Sequence, residues 1–102
     1  MTLDTASLAG STASLTVTTS NYSTNYSMTT SATTINLTLP ASATTGAFFA
    51  FRNNTGSTKT LTLVGGATAQ YKGDAVATSI QVASTNSVIF VANTTSLTYI
   101  VV

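Results

Sequence analysis

Residues 35–39 read Ile-Asn-Leu-Thr-Leu, apolar and polar in strict alternation, and Pro40 follows at once. A period of two belongs to a strand with one face in a core and the other in water. Proline has no N–H to give a sheet ladder, so the strand stops there. The same period recurs at residues 15–18, 60–63 and 79–82. No 3.6-residue pattern with caps competes with it. The chain has 24 Thr and 13 Ser among 102 residues, no Glu, and only three Lys or Arg. Threonine, valine, isoleucine and the aromatics suit a pleated surface, and few residues remain for a solvated helix face.

The alternation predicts strands over residues 14–19, 26–30, 35–39, 47–53, 58–64, 69–71, 78–83, 87–91 and 97–102. Small-residue, Gly or Asn turns separate them. Residues 53–57, Asn-Asn-Thr-Gly-Ser, read as a hairpin loop with Asn and Gly available for positive φ. Short strands with turns every 8–12 residues or so are the mark of a β-sandwich or small barrel. The fold expected is all-β: a small, jelly-roll-like β-sandwich of about eight short antiparallel strands with an extended N-terminal arm. No strict internal repeat is visible, which argues against a solenoid.

Residues 1–33 differ from the rest. They hold few large hydrophobes, and residues 1–12 read as an arm ordered only against a neighbour. The division expected is therefore 1–33, a Ser/Thr-rich arm with the first strands, and 34–102, the β-sandwich module.

Five residues are charged: Asp4, Arg52, Lys59, Lys72 and Asp74, for a net charge of +1. Ordinary domains carry about 25% charged residues, and a nearly neutral surface is poorly defended against association. Three scattered cations make no phosphate-binding patch, so nucleic acid is not an expected partner. There is no run of 18 apolar residues, so no membrane span is expected. Residues 1–4 show neither the basic nor the apolar region of a signal peptide.

The residue supply also bears on chemistry. Histidine, the side chain that titrates nearest neutrality, is absent. A nucleophile–base–orienter set then lacks its usual base. A Ser beside Lys59 or Lys72 is expected by chance among so many hydroxyls. A glycosidase-like carboxylate pair would need Asp4 with Asp74. Zinc lacks Cys and His ligands, and calcium lacks an Asp-rich loop. No enzyme activity, cofactor or metal is expected. An intramolecular Lys–Asn isopeptide bond near Lys72-Gly73-Asp74 would need a buried Lys, Asn and acid, and a solvated turn is the simpler reading. The Asn-x-Ser/Thr sequons match the Ser/Thr-rich composition. Thr-x-Thr pairs at 16/18 and 58/60/62 do not recur at a fixed spacing, so they read as strand exteriors rather than a ligand array. Phe48, Phe49 and Phe51, with Tyr71, could stack on a sugar, but at strand spacing they read as core or subunit contact. The partner-contact candidates are Leu15, Val17, Tyr22, Tyr26, Phe48 and Tyr71.

From Thr34 the chain has a cadence: Ile35-Asn36-Leu37-Thr38-Leu39-Pro40, Gly46 leading into an aromatic strand, Asn54-Thr55-Gly56-Ser57, Gly65-Gly66, Ser87-Val88-Ile89-Phe90, and a last strand through Tyr99. It resembles the β modules of bacteriophage tail fibres, tailspikes and related virion surface proteins over about two-thirds of the chain. Tyr99 stands where such modules often have Trp. The resemblance implies a non-enzymatic protein on the virion surface, commonly a homotrimer. With little besides the module present, it implies a capsid decoration or cement protein bound to the major capsid protein. The alternative it implies is a tail-fibre or spike knob that binds a receptor or carbohydrate through loops 53–57 and 93–96.

Overall fold

A computed structural model describes residues 3–17, 23–40, 46–71, 76–92 and 98–101. Its described residues form strands and turns, with no helix. In chain order the strands are β1 Leu3–Leu8, β2 Ser14–Thr16, β3 Ser23–Met28, β4 Thr34–Thr38, β5 Phe48–Asn53, β6 Lys59–Val64, β7 Thr68–Tyr71, β8 Val76–Ala77, β9 Ser79–Val82, β10 Ser87–Ala92 and β11 Thr98–Val101. They make two sheets. The larger runs β1-β3-β5-β10-β11-β7-β8 and the smaller β2-β4-β6-β9.

The all-β expectation holds, but the strand directions do not follow it. β1, β3 and β5 are parallel neighbours, as are β2, β4 and β6. Antiparallel pairing enters with β9, β10 and β8, and β11 pairs antiparallel with β10 but parallel with β7. The reason lies in the turns. The five-residue links 9–13, 29–33 and 54–58 each carry the chain from one sheet to the other instead of folding it back as a hairpin. Parallel neighbours need a long crossover, and here a strand of the opposite sheet supplies it. β5 and β6, expected as a hairpin, therefore lie in different sheets.

The first six strands thus wind as successive coils. Leu3 stands opposite Ser23, a coil of 20 residues, and Thr34 opposite Thr60, a coil of 26. Unequal coils leave no fixed period in the sequence, which is why the winding escapes a search for repeats. The coil stacking is carried by backbone bonds between successive turns. Thr29 N–H donates to Leu8 O, Ser31 N–H to Gly10 O and Asn54 N–H to Met28 O, all at 2.8–2.9 Å.

The expected N-terminal arm is also corrected. Residues 3–8 are a sheet strand paired along their whole length with β3. A short strand with few large hydrophobes needs no core of its own when its neighbour supplies the ladder and Leu8 joins the core at its end.

Both sheets feed one buried cluster. The smaller sheet gives Ile35, Leu37, Leu61, Leu63, Ile80 and Val82, and the alternation puts every one inward. The larger gives Tyr26, Met28, Phe49, Phe51, Phe90 and Tyr99. Tyr26 stacks on Phe51 with centroids 4.9 Å apart, and Phe51 meets Phe90 edge-on at 5.6 Å. Lys59 also occupies an inward position, opposite Val82, at 2% exposure. Its four-carbon stem is apolar enough for such a place.

Candidate functional site

The two sheets differ on the faces turned away from the core. On the smaller sheet that face carries Ser14, Thr16, Thr34, Asn36, Thr38, Thr60, Thr62, Ser79 and Gln81, with Val64 at the margin. Register aligns Thr34 with Thr60 and Gln81, and Asn36 with Thr62 and Ser79. This is an ordinary solvated face.

The larger sheet is apolar on both sides over its middle strands β5, β10 and β11, while Asn25 and Ser27 of β3 and Thr68 and Gln70 of β7 flank them. Phe48 of β5 lies opposite Val91 of β10, and Val91 opposite Ile100 of β11. The next row sets Ala50 against Ile89. All five are half-buried and point away from the core. Asn25, Ser27, Arg52 and Ser87 bound the patch on one side. Arg52 is exposed, and its Nε donates to Asn54 Oδ1 at 2.9 Å. Asn54 Nδ2 in turn donates to Ser27 Oγ at 2.6 Å. The one described charge on this face is thus held at its rim.

A second surface is the end of the fold where the crossing turns stack. Its anchor is Asn53, fully buried at the end of β5. The Nδ2 group donates to Ser57 O at 2.7 Å and to Val82 O at 2.9 Å. The Oδ1 atom accepts from Thr55 N–H at 3.0 Å and Thr55 Oγ1 at 2.5 Å. The amide therefore uses both donors and both lone pairs, as a buried polar group must. Because β5 and β9 belong to different sheets, the bond to Val82 also ties the sheets together. Ser84 Oγ donates to Thr55 O at 2.6 Å, and Thr85 N–H to Asn53 O at 2.9 Å. Thr30 Oγ1 donates to Thr12 O at 2.7 Å across the neighbouring turns. The result is a rigid surface of amides and hydroxyls.

The candidate contact residues separate. Val17 and Tyr26 are buried in the core, at 3% and 7% exposure, and face the chain's own interior. Leu15 packs against that core, partly buried. Phe48 stands on the outer apolar face, whereas Phe49 and Phe51 are fully buried. Tyr71 contributes backbone to β7 opposite Val101. Tyr22, the segment at Lys72 and Asp74, and loop 93–96 lie outside the described residues. The sequon asparagine Asn53 is interior and spends its amide on the network above. Among the described residues no three His, Cys, Asp or Glu side chains gather as a metal-binding group.

Sequence reasoning missed Val91, Ile100, Ile89 and Ala50. Their signal was the continuity of the runs 47–51, 88–92 and 99–102, which do not alternate. Strands apolar on both faces read this way when both faces are to be covered.

No family model, curated protein or solved structure matches the chain.

Proposed function

We propose that this protein is a non-enzymatic structural component of a virion surface: a capsid decoration or cement protein that self-associates as a trimer and binds the major capsid protein. The observation that carries the reading is the apolar outer face of the larger sheet in a chain with five charged residues. Such a face in water favours association. The two sheets are read as a sandwich whose coiled first half supplies a stiff body. The cadence from Ile35 to Tyr99 supports the virion assignment. The test is cryo-electron microscopy of purified particles with copy-number measurement. Density over capsomer junctions supports a cement role, and density confined to a tail tip or stalk overturns it.

A second reading is a receptor- or carbohydrate-binding knob. The rigid amide and hydroxyl surface around Asn53–Ser57 favours it, because preorganised polar groups lose little entropy on binding a polyol. A glycan array carries its test: saturable binding lost on replacing the exposed Asn54 supports it, and an empty array removes it.

A further inference from the structure

We propose that copies of this chain meet through the outer face of the seven-stranded sheet, centred on the row Phe48, Val91 and Ile100. The inference rests on the self-association proposed above and names its surface.

Three observations converge on that face. The first is sequence pattern. β4, β6 and β9 alternate apolar and polar residues, while residues 47–51 and 88–92 are apolar throughout. Alternation suits a sheet wet on one side, and an unbroken run suits a sheet covered on both. Among the described residues, the smaller sheet covers only the inner side.

The second is register. The pairing of β5, β10 and β11 puts the outward residues of three adjacent strands side by side, not scattered. Neighbouring strands are about 4.8 Å apart, so Phe48, Val91 and Ile100 form a continuous ridge roughly 10 Å across. Ala50 and Ile89 widen it along the strands.

The third is charge and size, which select the occupant. Arg52 is the one described charge on this face, and it sits at the edge, bonded to Asn54. A charged partner would find no counter-charge in the ridge and would lose its own hydration there. An uncharged, apolar ridge loses nothing comparable, and another copy of this chain presents one. Six strands of four to six residues, with the two-residue β8 beyond them, give a face of roughly 29 by 17 Å in projection, room enough for a small interface once side-chain relief adds to the projected area. Copies related by closed symmetry bury the ridge without leaving a free end for fibres.

The test is the mass of the full chain by size-exclusion chromatography with light scattering, over a concentration series. Val91→Lys places an ammonium in the middle of the ridge, and Thr62→Lys places one on the opposite outer face. Circular dichroism melts verify that each variant is folded, and Ile89→Lys replaces Val91→Lys if that variant does not fold. The expected result is a trimeric wild type and Thr62→Lys, with Val91→Lys monomeric and its dissociation constant raised by roughly 100-fold or more. A wild-type dimer that Val91→Lys dissociates supports the face and overturns the trimer. An oligomer that Val91→Lys leaves intact overturns the face while self-association stands. A wild type monomeric at every concentration overturns both.

Discussion

The hydroxyl of Tyr99 donates to the carbonyl of Pro40 across 2.6 Å, joining β11 of the larger sheet to the residue that closes β4's run in the smaller one. The ring is fully buried and meets Phe49 edge-on at 6.1 Å. Tyr99→Phe keeps the ring and deletes the bond. A loss of about 1–2 kcal/mol is expected, the sum of one hydrogen bond and a carbonyl left dry. Urea denaturation measures it.

The same residue gives the protein an alkaline limit. Burial pushes the Tyr99 hydroxyl up to about 12 from its ordinary value of 10.0. Above pH 10 the unfolded chain gives up this proton and the folded chain keeps it. Stability is therefore intact below pH 10 and falls as the pH rises toward 12, by roughly 2–3 kcal/mol. In Tyr99→Phe that decline is reduced by the same amount. Urea midpoints between pH 8 and pH 12, wild type against variant, isolate it.

Asn53 is expected to be the costliest polar residue to replace. Asn53→Ala leaves the buried Val82 carbonyl and the Thr55 N–H without their partner, while the exposed Ser57 carbonyl keeps its bond from Thr55 Oγ1. The expected loss is about 3 kcal/mol, and more if the 54–58 turn loosens. Equilibrium unfolding gives the magnitude. Faster amide exchange at Thr55 and Thr85 than at Leu61 locates the damage at this end of the fold.

Thr85 is the one described non-glycine residue with positive φ, at 66°. A β-branched side chain is poorly suited to that region, yet its N–H bond to Asn53 O fixes the turn there. Thr85→Asn keeps the backbone bond and relieves the strain, since Asn tolerates left-handed geometry. A gain of about 0.5–1 kcal/mol, or a rise in Tm of a few degrees, is expected by calorimetry.

What was legible in the sequence is the inward set. Ile35, Leu37, Leu61, Leu63, Ile80 and Val82 follow from alternation alone, because a period of two leaves one choice of face. Alternation says nothing of which sheet a strand joins. The turn at Asn53–Ser57 has the composition of a hairpin, but it became a crossing because Asn53 points inward and bonds to Val82 of the other sheet. Tyr26 illustrates a second gap. In a segment with few large hydrophobes it reads as available to a partner, and the ring that buries it is Phe51, 25 residues away, brought alongside by parallel register. The outer apolar face was legible in principle, at 47–51 and 88–92, but only once the neighbours of each strand were known.

The last prediction concerns residues 1–12, which composition alone marks as a detachable arm. In the fold, β1 covers one edge of β3, and Leu8 is 3% exposed within the core. Gly10 and Thr12 accept bonds from the Ser31 N–H and the Thr30 hydroxyl. Removing residues 1–12 therefore takes away a whole six-residue ladder, a buried leucine and two turn contacts. Loss of a buried leucine alone costs about 2–5 kcal/mol, a large share of the 5–15 kcal/mol that holds a typical domain. The truncated chain is expected to melt at least about 15 °C lower or to lose its cooperative transition. A true arm would leave the transition within a degree or two of the full chain. Calorimetry of both chains decides between a strand that completes the sheet and a tail that merely hangs from it.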